Sequence, residues 1–209
     1  MKAYFVITHG SRSPRSVLGR KLIEAALQAR CPQVQVGGGC LEGQSQILKE
    51  QMASFAQTLP QNAQIIAIPL FLLKGVHTQI DIPEQIPPDR WQLTPILGDH
   101  PSMAELLDSQ FPRTGERYIL SHGSNYPGAT AEFASLARSI AAQPLYWQGE
   151  PNWQTCPDRP SVSVLPYFLA ESYILEKIRT QAKTLNLLPT PFVPGLVAQM
   201  AQELAESLE

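Results

Sequence analysis

The chain alternates between short, continuously apolar runs and longer segments in which apolar residues recur at helical spacing. Ala3–Thr8 is apolar almost throughout, the pattern of a strand buried on both faces. After a Gly-Ser-Arg turn, Pro14 suits the first position of a helix, and Leu18, Leu22, Ala25 and Ala29 follow at helical intervals. Val34–Gly38 predicts a weak strand with a Gly-rich exit, and Ile47, Leu48, Met52, Phe55 and Leu59 mark a second helix. Ile65–Leu73 is a strongly apolar strand candidate. Pro69 inside it argues for an edge or a bend, because proline donates no ladder hydrogen bond. A helix is expected from about Gln79, a short strand at Leu93–Leu97 and a further helix around Met103–Leu107.

Proline and glycine punctuate Phe111–Glu116, the best linker candidate. Beyond it the pattern restarts. Arg117–Ser121 and Val162–Phe168 read as strands, Pro191–Val193 as a strand stub, and Ala129–Ala141, Ser172–Leu185 and Leu196–Leu208 as helices. The restart is an internal repeat. Thr8-His9-Gly10-Ser11 recurs as Ser121-His122-Gly123-Ser124, Pro69-Leu70-Phe71-Leu72 as Pro166-Tyr167-Phe168-Leu169, and Thr94-Pro95 as Thr190-Pro191. Between its first two landmarks the second copy is shorter by about 16 residues, the size of one helix. The Pro-rich stretch Gln148–Pro160 stands in its place and reads as loop. Strands alternating with helices imply parallel βαβ units. The fold class is therefore α/β, with two similar lobes at 1–112 and 117–209. Each has a small parallel sheet flanked by helices, and the second lacks one helix.

Composition narrows the function classes. At 209 residues and 44% hydrophobic, the chain can bury a core in two small lobes. A net charge of −2 gives no global basic surface, so no nucleic-acid partner is expected. The charge is uneven: residues 1–23 carry Lys2, Arg12, Arg15, Arg20 and Lys21 and no acid, while Glu203, Glu206 and Glu209 crowd the end. Two solvated helix faces account for this, and an anion-attracting rim near the start of the chain is the sharper alternative. Cys31, Cys40 and Cys156 are odd in number and form no C-x-x-C pair. Neither a disulfide framework nor a zinc knuckle is supported, which points to a reducing compartment. No apolar run approaches the length of a membrane span, so a cytoplasmic protein without a membrane partner is expected.

His9 directly follows one apolar strand and His77 follows another by a short loop. In an open parallel sheet both emerge at the carboxyl edge, where ligands bind. Two imidazoles distant in sequence can therefore converge, although each by itself could be a structural histidine closing a loop. Glu42, beyond the weak strand, can reach the same edge or serve as an ordinary acid in the first turn of a helix. Two histidines and a carboxylate suit a first-row divalent metal with open coordination positions. Gly10 and Ser11 are read as opening a helix whose free amides would welcome an anion. Arg12 and Arg15 add charge-assisted donors. Gly75 is expected to make a positive-φ turn before His77, and Lys74 is either a solvated lysine or a contact to an acidic substrate. His100, in Gly98-Asp99-His100-Pro101, reads as structural.

The motifs Thr8-His9-Gly10-Ser11-Arg12, Leu41-Glu42, Pro69-Leu70-Phe71-Leu72-Leu73-Lys74-Gly75-Val76-His77, Asp81-Ile82-Pro83 and Leu97-Gly98-Asp99-His100-Pro101 together resemble the sirohydrochlorin chelatases of the CbiX/SirB type. The resemblance extends over nearly the whole chain and includes Pro166-Tyr167-Phe168-Leu169. It implies chelatase-like lobes and insertion of Fe2+ or Co2+ into sirohydrochlorin or a related carboxylated tetrapyrrole. The product would feed siroheme or cobalamin synthesis. It implies that His9 and His77 handle metal and protons, with Glu42 as third ligand. Gly10, Ser11, Arg12, Arg15, Lys74 and Gly75 would then contact the substrate. The metal (Fe2+, Co2+ or Ni2+) is a substrate and no cofactor is permanently bound. A two-lobed chain contains internally the interface a shorter relative would form by dimerising, so a monomer is expected.

Departures from the pattern concentrate in the second half. Alignment on Pro166 puts Ile174 where His77 stands, and Glu171 and Ser172 replace the usual turn pair. His122 is either a secondary contact in the cleft or a relic, and one site in the N-terminal lobe is expected. Lys74 stands where proline is common. Two other functions fit parts of the pattern. A tetrapyrrole or metal carrier would bind without catalysing. A histidine phosphatase would want an arginine just before its histidine, where this chain has Thr8.

Overall fold

The computed structural model describes residues 1–11, 14–169 and 173–208. Arg12, Glu171, Ser172 and Glu209, all considered above, lie outside them. The chain begins β1 (Lys2–Gly10), α1 (Pro14–Arg30), β2 (Gln35–Glu42), α2 (Leu48–Gln57) and β3 (Gln64–Pro69). A π-helical turn, His77–Asp81, then runs directly into α3 (Ile82–Gln85), followed by β4 (Trp91–Leu93). These strands form one parallel sheet in the order β2-β1-β3-β4. After α4 (Met103–Asp108) come β5 (Glu116–Ser121), α5 (Ala129–Ser139), β6 (Gln143–Tyr146), β7 (Val162–Pro166), α6 (Tyr173–Gln181), β8 (Asn186–Leu187) and α7 (Pro194–Glu206). The second sheet, β6-β5-β7-β8, is also parallel and repeats the strand order of the first. Where α2 joins β2 to β3, only a 3-10 turn, Trp153–Thr155, lies between β6 and β7. The helix expected to be missing from the second half is the counterpart of α2.

In the first sheet, alternate residues of β1 serve opposite faces, as strand geometry requires. Phe5 and Ile7 pack with Leu48 and Met52 of α2, Ile82 of α3 and Trp91. Tyr4 and Val6 are buried as well, so both faces of the sheet are covered. This explains the unbroken apolar run that marked β1 in the sequence. In the second sheet, Leu120, Leu145, Val164, Leu175 and Ile178 form the corresponding core.

Two compact units result: Met1–His100 with the segment from Pro194 onward, and Pro101–Val193. This division differs from a boundary at 112–117. α7 packs on α1 in the first unit, burying Val197, Ala198, Ala201, Leu204 and Ala205, and α4 belongs to the second unit. Proline and glycine punctuation marks where an element ends but not which sheet the next helix covers.

The buried face of α1 also differs from the reading of its sequence. Leu18 (59%) and Leu22 (50%) are exposed, while Arg20 and Glu24 (8% each) are buried beside Ile23 and Leu27. Arg20 pairs with Glu24 and donates from Nη1 to the Gly38 carbonyl at 2.7 Å. Opposite charges that satisfy one another and a strand carbonyl can enter a core. Arg20 is thus a packing residue rather than part of a solvated face, and Lys21 pairs with Glu24 from the surface at 2.8 Å. The glycine run of β2 makes room for this pair, since a Cβ on Gly38 would lie 2.4 Å from the Glu24 carboxylate. β2 accordingly continues through the glycines to Glu42 instead of ending at Gly38.

Three shorter elements depart from expectation. β6 has no counterpart in the sequence reading, β4 begins two residues before the predicted Leu93–Leu97 and ends at Leu93, and β8 precedes the predicted Pro191–Val193. Pro189 and Pro191 have no amide to give a ladder, whereas Leu188 donates to the Val164 carbonyl at 2.9 Å.

Asp158 anchors the second unit's edge. Its carboxylate accepts from the amides of Lys183, Thr184 and Leu185 and from the Thr184 hydroxyl. The Thr184 and Leu185 amides foremost hold its pKa down at about 2, against an ordinary 3.8. A depressed folded-state value stabilises above the unfolded pKa and is lost as pH falls through the folded one. Asp158→Ala is expected to melt below the parent at neutral pH, with the Tm gap narrowing between about pH 4 and 2. Thermal melts across that range check this.

Candidate metal site

Burial along β1 lapses at its carboxyl end: Ala3 to Ile7 are buried, Thr8 is half-buried and His9 is exposed. The parallel register pairs Gly10 with Glu42, which brings His9 and the last residue of β2 to one edge. Gly10 has φ +82°, and a Cβ there would meet the Glu42 carbonyl oxygen at 2.1 Å. Only glycine meets both demands. Gly10 therefore closes β1 and does not open a helix.

β3 ends at Pro69 rather than continuing to Leu73, and the following loop is fastened at both ends. Leu70 donates its amide to the Ile7 carbonyl at 2.7 Å, and Gly98 donates to the Phe71 carbonyl at 2.9 Å. The Gly75 carbonyl then accepts from the amides of Thr78 and Gln79 at 3.1 and 3.0 Å, and Thr78 Oγ1 bonds Gly75 as well. Gly75 thus caps the helical turn and is not among the glycines with positive φ. His77 is the first residue of that turn, earlier than the helix start expected near Gln79. In this π-helical turn the Ile82 amide reaches back to the His77 carbonyl, a widening frequent at functional sites.

These constraints bring the three predicted ligands together. The His9 and His77 rings meet edge to face, with centroids 4.8 Å apart and planes at 80°. Ligand atoms of His9, Glu42 and His77 all lie within 4.8 Å of one another. His9 Nδ1 bonds the Gly10 carbonyl at 2.9 Å, and His77 Nδ1 bonds Asp81 Oδ2 at 2.6 Å. Beside the triad lies an open depression of about 280 Å³ lined by Leu41, Glu42, His77, Asp81, Glu84 and Gln85. Cys40, two residues before Glu42, is buried, and burial pushes its thiol up; the clustered ligand atoms are those of His9, Glu42 and His77.

The expected basic rim fares differently. Neither Arg15 nor Lys74 lines the depression, whose charged lining is acidic. Lys74 is a third exposed and lies 3.6 Å from Asp99. Ser11 and Arg15 are exposed, at the end of β1 and in the first turn of α1. His100 is buried, with Nε2 3.0 Å from Glu203 of α7, in keeping with a structural role. Asp81 and Glu84 were missed as site residues. For Asp81 the signal was present: four residues after His77 on a helical turn places it on the same face.

In the second unit, His122 is exposed and its Nδ1 lies 3.4 Å from the Gly123 carbonyl. Thr8 pairs with Cys40 and Ser121 with Tyr146, so Gln148 occupies the place of Glu42. A Cβ on Gly123, at φ +91°, would meet the Gln148 carbonyl at 1.9 Å. Ile174 packs on the core.

The CbiX family model matches residues 3–114, more than half of the chain. The chain belongs to the CbiX family. Its matched region contains all three converging residues, His9, Glu42 and His77. A sirohydrochlorin cobaltochelatase of Methanococcoides burtonii is 36% identical over 78 residues, 37% of this chain. The match spans 58% of that relative's length. Among solved structures, SirB from Bacillus subtilis with Fe3+ superposes with a TM-score of 0.78 at 19% identity, over 99% of this chain and 96% of that one. The sirohydrochlorin chelatase SirB from Bacillus subtilis subspecies spizizenii, in complex with cobalt, gives 0.73 at 17% identity, over 99% and 94%. At these identities the likeness establishes the CbiX-family chain's fold as that of the two SirB structures.

Proposed function

We propose that this CbiX-family chain is a sirohydrochlorin chelatase, inserting a divalent metal, Fe2+ or Co2+, into sirohydrochlorin for siroheme or cobalamin synthesis. The convergence of His9, Glu42 and His77 at one sheet edge carries the reading. Two imidazoles and a carboxylate hold a first-row divalent ion while leaving positions open for a macrocycle. Insertion exchanges one M2+ for two pyrrole protons, so charge balances without a redox step. Neutral imidazole suits acceptance of those protons near neutral pH, and protonation competes with metal binding at the same nitrogens. The exposure of His9 and the openness of the depression suit a metal that must be handed on.

One site is proposed, in the first unit. Gln148 and Ile174 in place of Glu42 and His77 support a second half that binds no metal, with His122 a relic. Gly10, Ser11, Arg12, Arg15, Lys74 and Gly75 remain the candidates for contacting substrate carboxylates. The metal is substrate in this reading and nothing is permanently bound. A cytoplasmic monomer without nucleic-acid or membrane partners completes it; among the described residues no helix is long and apolar enough to cross a membrane.

Insertion kinetics with sirohydrochlorin and Fe2+, Co2+ or Ni2+ test the proposal. The expected result is metallation faster than without protein. Equal rates with and without protein, the macrocycle still binding, would identify a carrier instead.

A further inference from the structure

We infer that Asp81 is a positioning residue that fixes the tautomer of His77, leaving Nε2 as the lone-pair nitrogen. The inference deepens the chelatase reading and rests on it for its consequence, but the tautomer itself does not depend on that function. A neutral imidazole carries one proton, on either Nδ1 or Nε2, and only the bare nitrogen can take a metal or a proton. An ionised carboxylate accepts hydrogen bonds and donates none. With Asp81 Oδ2 at 2.6 Å from His77 Nδ1, the shared proton belongs on Nδ1. The same device operates at His9, where the partner of Nδ1 is the Gly10 carbonyl at 2.9 Å, also an acceptor only. Both histidines of the triad thus have Nδ1 engaged by a group that accepts and does not donate.

The two supports differ in kind. The Gly10 carbonyl is backbone and cannot be mutated away. Asp81 is a side chain, half-exposed, on the π-helical turn that begins with His77, and its Oδ2 bonds His77 directly. Glu42 and Glu84 also line the depression, but the carboxylate bonded to His77 is that of Asp81. Without Asp81, nothing in that bond would hold the proton on Nδ1, and a proton on Nε2 removes the ligand. Supporting residues of this type typically change metal affinity or activity by about 10–100-fold.

The test uses the whole chain, 15N-labelled, at about pH 8, above the ordinary histidine pKa of about 6.5. Long-range 1H–15N correlation spectra identify the protonated nitrogen of each imidazole, the four histidines being assigned by single His→Ala variants. Co2+ titration of the same samples reads affinity. The parent is expected to show His77 protonated at Nδ1. Asp81→Ala is expected to move that proton to Nε2, leave the His9 signals in place and weaken Co2+ binding by about 10–100-fold. Asp81→Asn, which retains an acceptor oxygen but can also donate, is expected to fall between them. A purely structural role would lower Tm without moving the proton. His77 protonated at Nε2 in the parent, or an unchanged tautomer in a folded Asp81→Ala, overturns the inference. A parent with the expected tautomer that fails to metallate sirohydrochlorin overturns the chelatase reading and leaves the Asp81 assignment standing.

Discussion

Metal insertion by His77→Ala is expected to fall by about 100-fold or more, while the fold survives. General acid–base groups typically contribute about 10²–10⁴-fold, and His77 is proposed both to hold the ion and to accept a proton. Its side chain is more than a third exposed and its polar partner is Asp81 alone among the bonds described, so truncation leaves no cavity in the core. Surface substitutions of that kind usually alter stability by less than about 0.5 kcal/mol. Single-turnover insertion with Co2+ and sirohydrochlorin, beside circular dichroism and thermal melts, separates the two effects. Parental rates in a folded His9→Ala/His77→Ala double variant would remove the site assignment.

Gly10→Ala is expected to cost on the order of 3 kcal/mol and to abolish insertion as well. A non-glycine residue held at positive φ costs about 1–3 kcal/mol. Here the new methyl would also press to 2.1 Å from the Glu42 carbonyl oxygen, a backbone atom that cannot swing aside. The two strands must separate where His9 and Glu42 meet. For a chain of this size roughly 2–4 °C of Tm accompany each kcal/mol, so a fall of roughly 6–12 °C is expected. Gly123→Ala is the matched control. It meets the same two obstacles, φ +91° and a carbonyl at 1.9 Å, in the unit proposed to bind no metal. It should lose comparable stability yet, at a temperature where it is folded, retain insertion. Equal activity in folded Gly10→Ala would show that the β1–β2 junction does not set the ligand geometry.

Much of this was legible because the relevant signals are local. A buried parallel strand must be apolar on both faces, so Ala3–Thr8 announced β1. A repeated Ser/Thr-His-Gly-Ser, with a deficit of one helix, announced two similar sheets of unequal cover. A histidine at the carboxyl end of β1 and another on the loop after β3 emerge at the same carboxyl edge, which brings His9 and His77 together. Other features depend on distant partners. Spacing alone could not choose between the two stripes of α1, because Leu18 and Leu22 repeat as regularly as Ile23 and Leu27. The choice turned on Arg20 and Glu24 neutralising one another against the Gly38 carbonyl. The glycine run of β2 looks like a strand exit and is the place where Glu24 of α1 and Gln51 and Phe55 of α2 press against the strand.

The sequence by itself determined the α/β alternation, the doubled architecture and the three residues that could ligate a metal. Periodicity and turn chemistry depend only on neighbours in the chain. Tertiary structure alone decided that α7 packs with the first unit and that Gly10 rather than a helix terminus shapes the edge. Each of these depends on which surfaces meet once strands pair, and pairing register is a property of two segments, never of one.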